Sequence, residues 1–409
     1  MAQHQQHSGL SRRELLTAVC VTGLTEGSCD SALADLGRHL QHQGLRVSGL
    51  EVFPVRLPRG RKWLFLRLQT NQGVSGIAEA TLGGADKLSE LKTIFGLIKG
   101  ESPFNIRQFR ERGWNHIATG GLKMAVAFSA IEQALWDLTG KALQVPVYGL
   151  FGGNVRDAIT VYANINNATT TRSPAAFAEN AQMAVADGFQ ALKAAPFDGF
   201  PRLDAPGAQI EQATGTGIDC IRAIRESVGD DVKLKVDFHS YFDVQLAVDI
   251  AHRVEPFNLS WIEEPIDPKD VVGSKAIRTA IRQRLAGGEF LFALKEFGPL
   301  CQTQSVEVLM PDVQACGGLL EGQRISTAAE LHGLSVAPHN AHGPVATAAS
   351  VQLSAFLPNF EILEYQWGEV PWRAELIDPP ESIHEGKIHL SDRSGFGVDL
   401  NDQVVAEHL

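Results

Sequence analysis

The feature that most constrains the fold of this chain is an alternation of short apolar strands with amphipathic helices, which begins near residue 158. Helical segments such as 175–186, 244–254 and 322–332 separate the strands. The predicted strands are 159–163, 191–194, 232–236, 259–262, 285–287, 306–309, 334–337 and 360–363. Eight strand–helix units in roughly 210 residues predict a closed parallel (β/α)8 barrel of the TIM type. An open doubly wound sheet is the alternative, but no glycine-rich phosphate loop follows the first strand.

The region before the barrel has a different pattern. Residues 51–55 and 63–68 are typical of strands, and Asn71-Gln72-Gly73 is typical of the turn that follows them. Between residues 87 and 143 apolar residues recur at helical spacing. We therefore predict an α+β capping domain over residues 47–157, the barrel over 158–364 and a C-terminal segment over 365–409.

Residues 1–46 form an extension with its own composition. The pair Arg12-Arg13 precedes a mildly apolar run at 15–24, and Ala32-Leu33-Ala34 offers a small-residue cleavage site. This order resembles a twin-arginine export signal over residues 1–34 and would place the protein in the periplasm. The alternative is a disordered or helical N-terminal extension on a cytoplasmic protein.

Composition narrows the range of partners. The net charge is −11 and the sequence contains no basic run, so nucleic acid is not expected as a partner. No apolar stretch reaches the ~20 residues of a membrane span. The five cysteines show neither a disulfide framework nor a zinc pattern. An acidic protein that binds an acidic substrate needs local positive charge, which a divalent cation would supply.

Polar residues follow six successive predicted strands at intervals of 23 to 27 residues, about one strand–helix unit each. They are Asp237, Glu263, Glu289, Asp312, His339 and Glu364. Because the carboxyl ends of barrel strands meet at one face, we expect these side chains to converge where barrel enzymes hold their active sites.

Three of these residues predict a metal site. Asp237, Glu263 and Glu289 follow three neighbouring strands, and carboxylates that converge without a cation repel one another and raise their own pKa values. A hard divalent ion removes that repulsion. Oxygen-only ligands, with room for substrate oxygens and water, favour Mg²⁺ over zinc.

The histidines are candidate acid–base groups. Asp312 precedes His339 by one unit, and a carboxylate beside an imidazole fixes its tautomer and raises its basicity, so His339 is a candidate general base. His239 lies two residues after the first metal carboxylate and is expected to point the same way along its strand. Lys193 ends the second strand and is a candidate to neutralise a substrate carboxylate or enolate oxygen. Glu364 is a candidate to bind the substrate, if protonated or through water.

With these residues in place, the sequence resembles the enolase superfamily, in its mandelate racemase branch, over about residues 47–400. The motifs are Ala-Ile-Glu-Gln-Ala-Leu-Trp-Asp-Leu at 130–138, Trp-Ile-Glu-Glu-Pro at 261–265, Ala-Gly-Gly-Glu at 286–289 and Gly317-Gly318. The resemblance implies a capping domain that includes the C-terminal tail, a homo-oligomer, and Mg²⁺ on Asp237, Glu263 and Glu289. It also implies a base formed by Asp312 and His339, with Glu364 near the enolate.

Within that branch, the strand-two segment Lys193-Ala194-Ala195 lacks the second lysine of a lysine-based racemase. Asp237-Phe238-His239 instead resembles galactonate-type sugar-acid dehydratases, whose equivalent histidine is a general acid. The implied reaction converts an aldonate into a 2-keto-3-deoxy sugar acid. The alternatives are a cycloisomerase or epimerase that uses the same enolate, and a non-catalytic, metal-dependent protein that binds or senses sugar acids. Residues 340–342 depart from the galactonate pattern, which leaves the sugar and its stereochemistry open.

Overall fold

An antiparallel sheet of three strands opens the described chain: β1 (Val47–Arg56), β2 (Lys62–Thr70) and β3 (Ser75–Glu79). The structure, a computed structural model, describes residues 44–82 and 87–409. The export signal proposed for residues 1–34 lies outside the described residues. Four consecutive residues of β2, from Trp63 to Leu66, are buried, so both faces of the sheet are covered at this point.

Three helices complete the capping domain: α1 (Leu88–Gly96), α2 (Ile106–Leu143) and α3 (Val147–Leu150). Gly121, with a φ of 64°, interrupts the helical backbone of α2. Strand β3 packs directly on α2 at Gly76, where a Cβ would lie 2.1 Å from the carbonyl oxygen of Ala134. A side chain at position 76 would therefore force the sheet and the helix apart.

Eight parallel strands form the barrel, which confirms the predicted fold class. They are β4 (Ala158–Asn164), β5 (Ala191–Ala194), β6 (Lys233–Asp237), β7 (Leu259–Glu263), β8 (Leu285–Gly287), β9 (Val308–Leu309), β10 (Ser335–Val336) and β11 (Leu363–Gln366). Neighbours in sequence are neighbours in the sheet from β4 to β10, and β11 pairs with β4. The barrel closes between β10 and β11 through a parallel bridge from Val336 to Phe360.

Helices separate consecutive barrel strands and cover their outer faces. They are α4 (Pro174–Ala186), α5 (Gly207–Val228), α6 (Val244–Val254), α7 (Val271–Ala280), α8 (Ala293–Thr303), α9 (Leu319–Leu331) and α10 (Pro344–Phe356). Among the described residues, no helix is both long and apolar enough to cross a bilayer.

The C-terminal segment after β11 returns to the capping domain. It contains a short 3-10 turn (Arg373–Leu376), β12 (Ile377–Asp378), β13 (Lys387–His389), β14 (Asp399–Leu400) and α11 (Asp402–Glu407). Strand β13 pairs antiparallel with Ala158–Thr160, the first three residues of β4. The backbone N–H of Arg56 in β1 donates to the carbonyl of His408 at 2.7 Å. The tail therefore bridges the barrel and the capping sheet.

Two capping-domain carboxylates bind the amino ends of barrel helices. Glu79, at the end of β3, accepts from the backbone N–H groups of Gly343 and Ala346 at 2.8 and 3.0 Å. Glu132, in α2, accepts from Leu319 and Leu320 at 2.8 and 3.0 Å. The amino end of a helix has unpaired backbone N–H groups and a partial positive charge. Glu79 therefore binds these N–H groups at the start of α10, and Glu132 binds those at the start of α9.

Asp137 joins three parts of the fold. Its carboxylate is fully buried and accepts from the backbone N–H of Ile77 in β3 at 2.8 Å and of Phe396 in the C-terminal segment at 2.7 Å. Lys141, one turn along α2, lies 2.8 Å from the same carboxylate. Loss of this side chain would leave two buried donors unsatisfied.

We expect Asp137→Ala to lower the free energy of unfolding by about 2–5 kcal/mol, because two buried N–H donors are left unsatisfied and Lys141 loses its buried partner. Urea denaturation followed by circular dichroism measures this loss. The matched control is Asp399→Ala, which removes the other partner of Lys141 from a side chain that is 60% exposed, and should cost less than about 1 kcal/mol. Equal losses in the two variants would contradict a bridging role for Asp137.

Candidate active site

All eight predicted site residues lie together at the carboxyl end of the barrel. Asp237 and Glu263 are the last residues of β6 and β7, Lys193 lies within β5, and Glu364 within β11. Glu289, Asp312 and His339 follow β8, β9 and β10 by two or three residues, and His239 follows β6 by two. All except His239 are buried. Six of the eight, from Asp237 to Glu364, recur along the sequence at the spacing of one strand–helix unit, and they meet here in the mouth of the barrel.

A buried layer forms the floor beneath these groups. Side chains alternate along a strand, so the residue two positions before each mouth residue also points into the barrel. Floor residues of this kind are Tyr162, Ala191, Lys235, Trp261, Met310, Ala337 and Ile362, all buried. The Nζ atom of Lys235 lies 4.5 Å from the Trp261 ring centroid and 5.1 Å from that of Tyr162. Large side chains therefore close the barrel below the site.

Asp237, Glu263 and Glu289 each offer a carboxylate oxygen, and these three oxygens lie within 4.8 Å of one another. Burial raises the pKa of Glu263 and of Glu289, and the neighbouring carboxylates raise both further. Burial also acts to raise the pKa of Asp237, but His239 and Lys193 outweigh it and hold that pKa well below the usual range. Crowded negative charge is therefore the dominant electrostatic feature of the mouth.

This donor set fits a hard divalent cation. The three ligands are all carboxylates, the type of ligand that Mg²⁺ prefers. Within the described part of the chain, no group donates a hydrogen bond to the buried Oε2 atom of Glu289, although Nε2 of His339 lies 3.3 Å away. A buried carboxylate oxygen without a hydrogen bond is costly unless a positive group binds it.

Lys193 balances part of the negative charge. Its side chain is only 2% exposed, and Nζ lies 2.8 Å from Oε1 of Glu364 and 3.4 Å from Asp237. It also donates to Glu263. Burial acts to lower the pKa of Lys193, but Glu263 and Glu364 raise it well above the ordinary value. Lys193 is thus a fixed positive charge in the mouth and not a surface lysine.

Both oxygens of Glu364 accept hydrogen bonds from the protein. Oε1 accepts from Nδ2 of Asn164 at 2.7 Å as well as from Lys193, and Oε2 accepts from the backbone N–H of Asn340 at 2.9 Å. Burial acts to raise its pKa, but Lys193 and His339 outweigh it and lower the pKa. The group is therefore a carboxylate that holds its neighbours in place.

His339 is held by Asp312 as the sequence predicts, with 2.7 Å between its Nδ1 and Oδ2 of the carboxylate. A second imidazole, His342, places Nε2 2.6 Å from the same oxygen. Burial acts to lower the pKa of His339, but Glu289, Glu364 and Asp312 raise it to about 10. The Nε2 atom of His339 is the nitrogen that faces the carboxylates.

His239 reaches the site by a different route from the one expected. Strand β6 ends at Asp237, and His239 and Ser240 have φ angles of 45° and 55°. A left-handed turn, and not strand alternation, therefore directs the ring toward the mouth. Its Nε2 lies 3.2 Å from Oδ2 of Asp237, and its Nδ1 lies 2.5 Å from Oδ1 of Asp198.

Asp198 and His342 are site residues that the sequence reasoning missed. His342 lies three residues after His339, among the residues 340–342 that depart from the galactonate pattern, so a second histidine there was an available signal. Asp198 lies in the loop after β5 and follows Lys193 by five residues. Strand spacing assigns no position to a loop residue, so only the fold reveals its contact with His239.

Comparison with known proteins agrees with this geometry. Residues 176–404 match the family model described as enolase C-terminal domain-like, and residues 56–152 match that of the mandelate racemase and muconate lactonizing enzyme N-terminal domain. The chain is 35% identical over 286 residues to D-gluconate dehydratase of Thermoproteus tenax, an alignment that covers 69% of this chain and only 56% of that relative. It is 28% identical over 361 residues to D-xylonate dehydratase of Haloferax volcanii, with 85% of each chain covered.

Solved structures give the same answer. A mandelate racemase/muconate lactonizing enzyme from Sulfitobacter sp. superimposes with a TM-score of 0.81 at 28% identity, covering 89% of this chain and 95% of that chain. The enolase-type match alone spans more than half of the 409 residues. This chain is therefore an enzyme of the mandelate racemase and muconate lactonizing enzyme family, within the enolase superfamily.

Proposed function

We propose that this enzyme is a Mg²⁺-dependent dehydratase of sugar acids, which converts an aldonate into a 2-keto-3-deoxy sugar acid. One observation carries the proposal: two histidines approach the carboxylate cluster from different strands. Nε2 of His239 lies 3.2 Å from Asp237, and Nε2 of His339 lies 3.3 Å from Glu289. Dehydration needs one group to remove a proton and a second to protonate the leaving hydroxyl, and this pair offers both. The names of the gluconate and xylonate dehydratases among its relatives support the same reaction class.

Asp237, Glu263 and Glu289 would hold the ion. When bound, Mg²⁺ acts as a Lewis acid toward the substrate carboxylate and makes the proton on C2 acidic enough for a histidine to remove. The adjacent ammonium group of Lys193 adds fixed positive charge on the side of the mouth formed by β5. Glu364 acts through Lys193, since it holds Nζ at 2.8 Å.

His339 is the proposed base. Asp312 occupies Nδ1, so Nε2 is the nitrogen available to accept the C2 proton. The electron pair of the C2–H bond remains on the substrate as an enediolate. Asp312 and the neighbouring carboxylates Glu289 and Glu364 favour the positive imidazolium that results.

His239 is the proposed acid. The enediolate electrons form the C2=C3 double bond as the C3–O bond breaks, and the Nε2 proton of His239 converts the departing hydroxyl into water. The enol product then becomes the 2-keto acid. Each acid–base role contributes a factor of roughly 10²–10⁴ to the rate.

A screen of sugar acids tests the reaction directly. The purified enzyme with Mg²⁺ is incubated with individual acids, beginning with D-gluconate, D-galactonate and D-xylonate, and 2-keto acids are detected with semicarbazide. A 2-keto-3-deoxy product supports the proposal. Turnover to an isomer or epimer without loss of water would overturn it in favour of a cycloisomerase or epimerase.

The metal gives the first prediction for this site. EDTA should abolish 2-keto acid formation, and Mg²⁺ should restore it. Glu289→Gln should weaken Mg²⁺ binding by at least about 10–100-fold, the loss seen even when groups that only support metal ligands are changed. Isothermal titration calorimetry measures the affinity. Glu330→Gln, an exposed position on α9, is the matched control and should bind as the unaltered enzyme does. Full activity after exhaustive chelation would refute the metal assignment.

The two histidines should separate proton abstraction from dehydration. His339→Asn should lose both 2-keto acid formation and exchange of the C2 proton in deuterated water, because no base remains. His239→Asn should lower dehydration by about 10²–10⁴-fold yet retain exchange, because the enediolate still forms and is reprotonated. Proton NMR of the recovered substrate reports exchange. Undiminished dehydration by His239→Asn would show that another group is the acid.

A further inference from the structure

The ring of His239 is too exposed for packing alone to fix its orientation. Its side chain is 35% exposed, whereas that of His339 is 7% exposed. A ring with that much freedom adopts several rotamers unless hydrogen bonds fix it. A general acid loses efficiency when its nitrogen is misplaced, because proton transfer requires a heavy-atom distance near that of a hydrogen bond.

Asp198 supplies the fixing contact. Its Oδ1 lies 2.5 Å from Nδ1 of His239. Its other oxygen, Oδ2, accepts from Nδ2 of Asn166 at 2.8 Å and lies 3.3 Å from the guanidinium of Arg172. Both oxygens therefore have partners from the barrel loops, and the carboxylate presents Oδ1 to the histidine in one orientation.

The backbone on both sides of this contact is immobilised by aromatic packing. Phe197 immediately precedes Asp198, and Phe238 immediately precedes His239. The two rings are buried and lie edge to face, with centroids 5.0 Å apart. Phe242 packs against both at 5.1 and 5.2 Å. The carboxylate and the imidazole thus extend from two loops that share one packed core.

We propose that Asp198 is a positioning residue for the general acid. By accepting the Nδ1 proton of His239, it directs Nε2 toward the departing 3-hydroxyl and fixes which nitrogen delivers the proton. The inference rests on the proposed function. In the dehydration step, the Nε2–H bond breaks as the proton passes to the hydroxyl, the C3–O bond breaks and water leaves. Asp198 itself exchanges no proton with the substrate. The molecule then has two carboxylate–imidazole pairs, Asp312–His339 for abstraction and Asp198–His239 for elimination.

The test uses the exchange and dehydration assays on one variant. Asp198→Asn is nearly isosteric and should lower 2-keto acid formation by about 10–100-fold, the cost of altering a group that orients a functional side chain. Exchange of the C2 proton should remain at the unaltered rate, because His339 and its partner are untouched. The matched control is Asp204→Asn, the same substitution on the same loop, where the carboxylate pairs with the exposed Arg202. That variant should dehydrate normally.

A merely structural role predicts a different result. If Asp198 only stabilised the fold, Asp198→Asn would lower exchange and dehydration together, and that outcome overturns the proposal, as does undiminished dehydration. The double variant Asp198→Asn/His239→Asn should dehydrate no more slowly than His239→Asn alone, because a positioning residue has no effect without the group it positions. A further loss in the double variant would show an independent role.

One readout is independent of the reaction. In enzyme with ¹⁵N-labelled histidine, the hydrogen-bonded Nδ1 proton of His239 should be visible by NMR, be absent from His239→Asn and disappear in Asp198→Asn. Its persistence in Asp198→Asn would overturn the inference. If the unaltered enzyme yields no 2-keto acid from any sugar acid but shows this signal, the proposed function fails while the Asp198–His239 contact stands.

Discussion

Four carboxylates buried in one barrel mouth impose the constraint that organises this molecule. Asp237, Glu263, Glu289 and Glu364 come from four strands and are all 4% exposed or less. Bringing such charges out of water costs several kcal/mol per ion, and their repulsion adds to that cost. The arrangement persists only if positive groups stand among them. The nearby ammonium and imidazole side chains serve that purpose within the protein, and a divalent cation would complete it.

The same constraint bears on the reaction proposed for the site. Each positive group in the mouth has a carboxylate at ion-pair distance, and these contacts hold its side chain in position. A substrate that carries its own carboxylate would be repelled by this cluster without added positive charge. The chemistry proposed for the site therefore follows from the charge balance: the groups that neutralise the mouth are also those that receive, hold and release protons.

Much of the fold and the site was predictable because barrel geometry converts sequence spacing into position. A period of about 25 residues defines one strand–helix unit, and the strand ends converge whatever the side chains are. This spacing predicted the barrel and the common position of its six mouth residues from Asp237 to Glu364. It was less accurate at the last strand, where the prediction began at residue 360 and β11 begins at Leu363. At Phe360 the chain makes a single bridge to Val336, and the regular strand begins only at Leu363. The apolar residues from 360 onward therefore predict a strand that starts three residues too early.

Contacts made by loop residues could not be predicted from the spacing of strands. The direction of the His239 side chain depends on two consecutive residues, His239 and Ser240, in the left-handed region of backbone conformation. Residues other than glycine are uncommon in that region, so the sequence does not predict the turn. Asp198 belongs to a loop whose path is fixed by the packing of Phe197 on Phe238 and Phe242, two rings that are remote in the sequence. His342 shares Asp312 with His339 because the chain turns back after β10, ahead of the helix that Glu79 caps. Periodicity describes regular elements, whereas these contacts arise where regularity ends.

The carboxylates of Glu79 and Glu132 have a consequence for how such a protein can be rebuilt. Each satisfies the amino end of a barrel helix from a separate part of the chain, and a Cβ at Gly318 would lie 2.0 Å from Oε2 of Glu132. A barrel grafted onto a foreign capping domain would expose unpaired donors at α9 and α10 unless the graft carried matching acids at matching depth. The two halves are therefore poor candidates for recombination as modules. The loops between these anchor points are the better place to alter specificity, because changes of length and sequence there leave both helix ends paired.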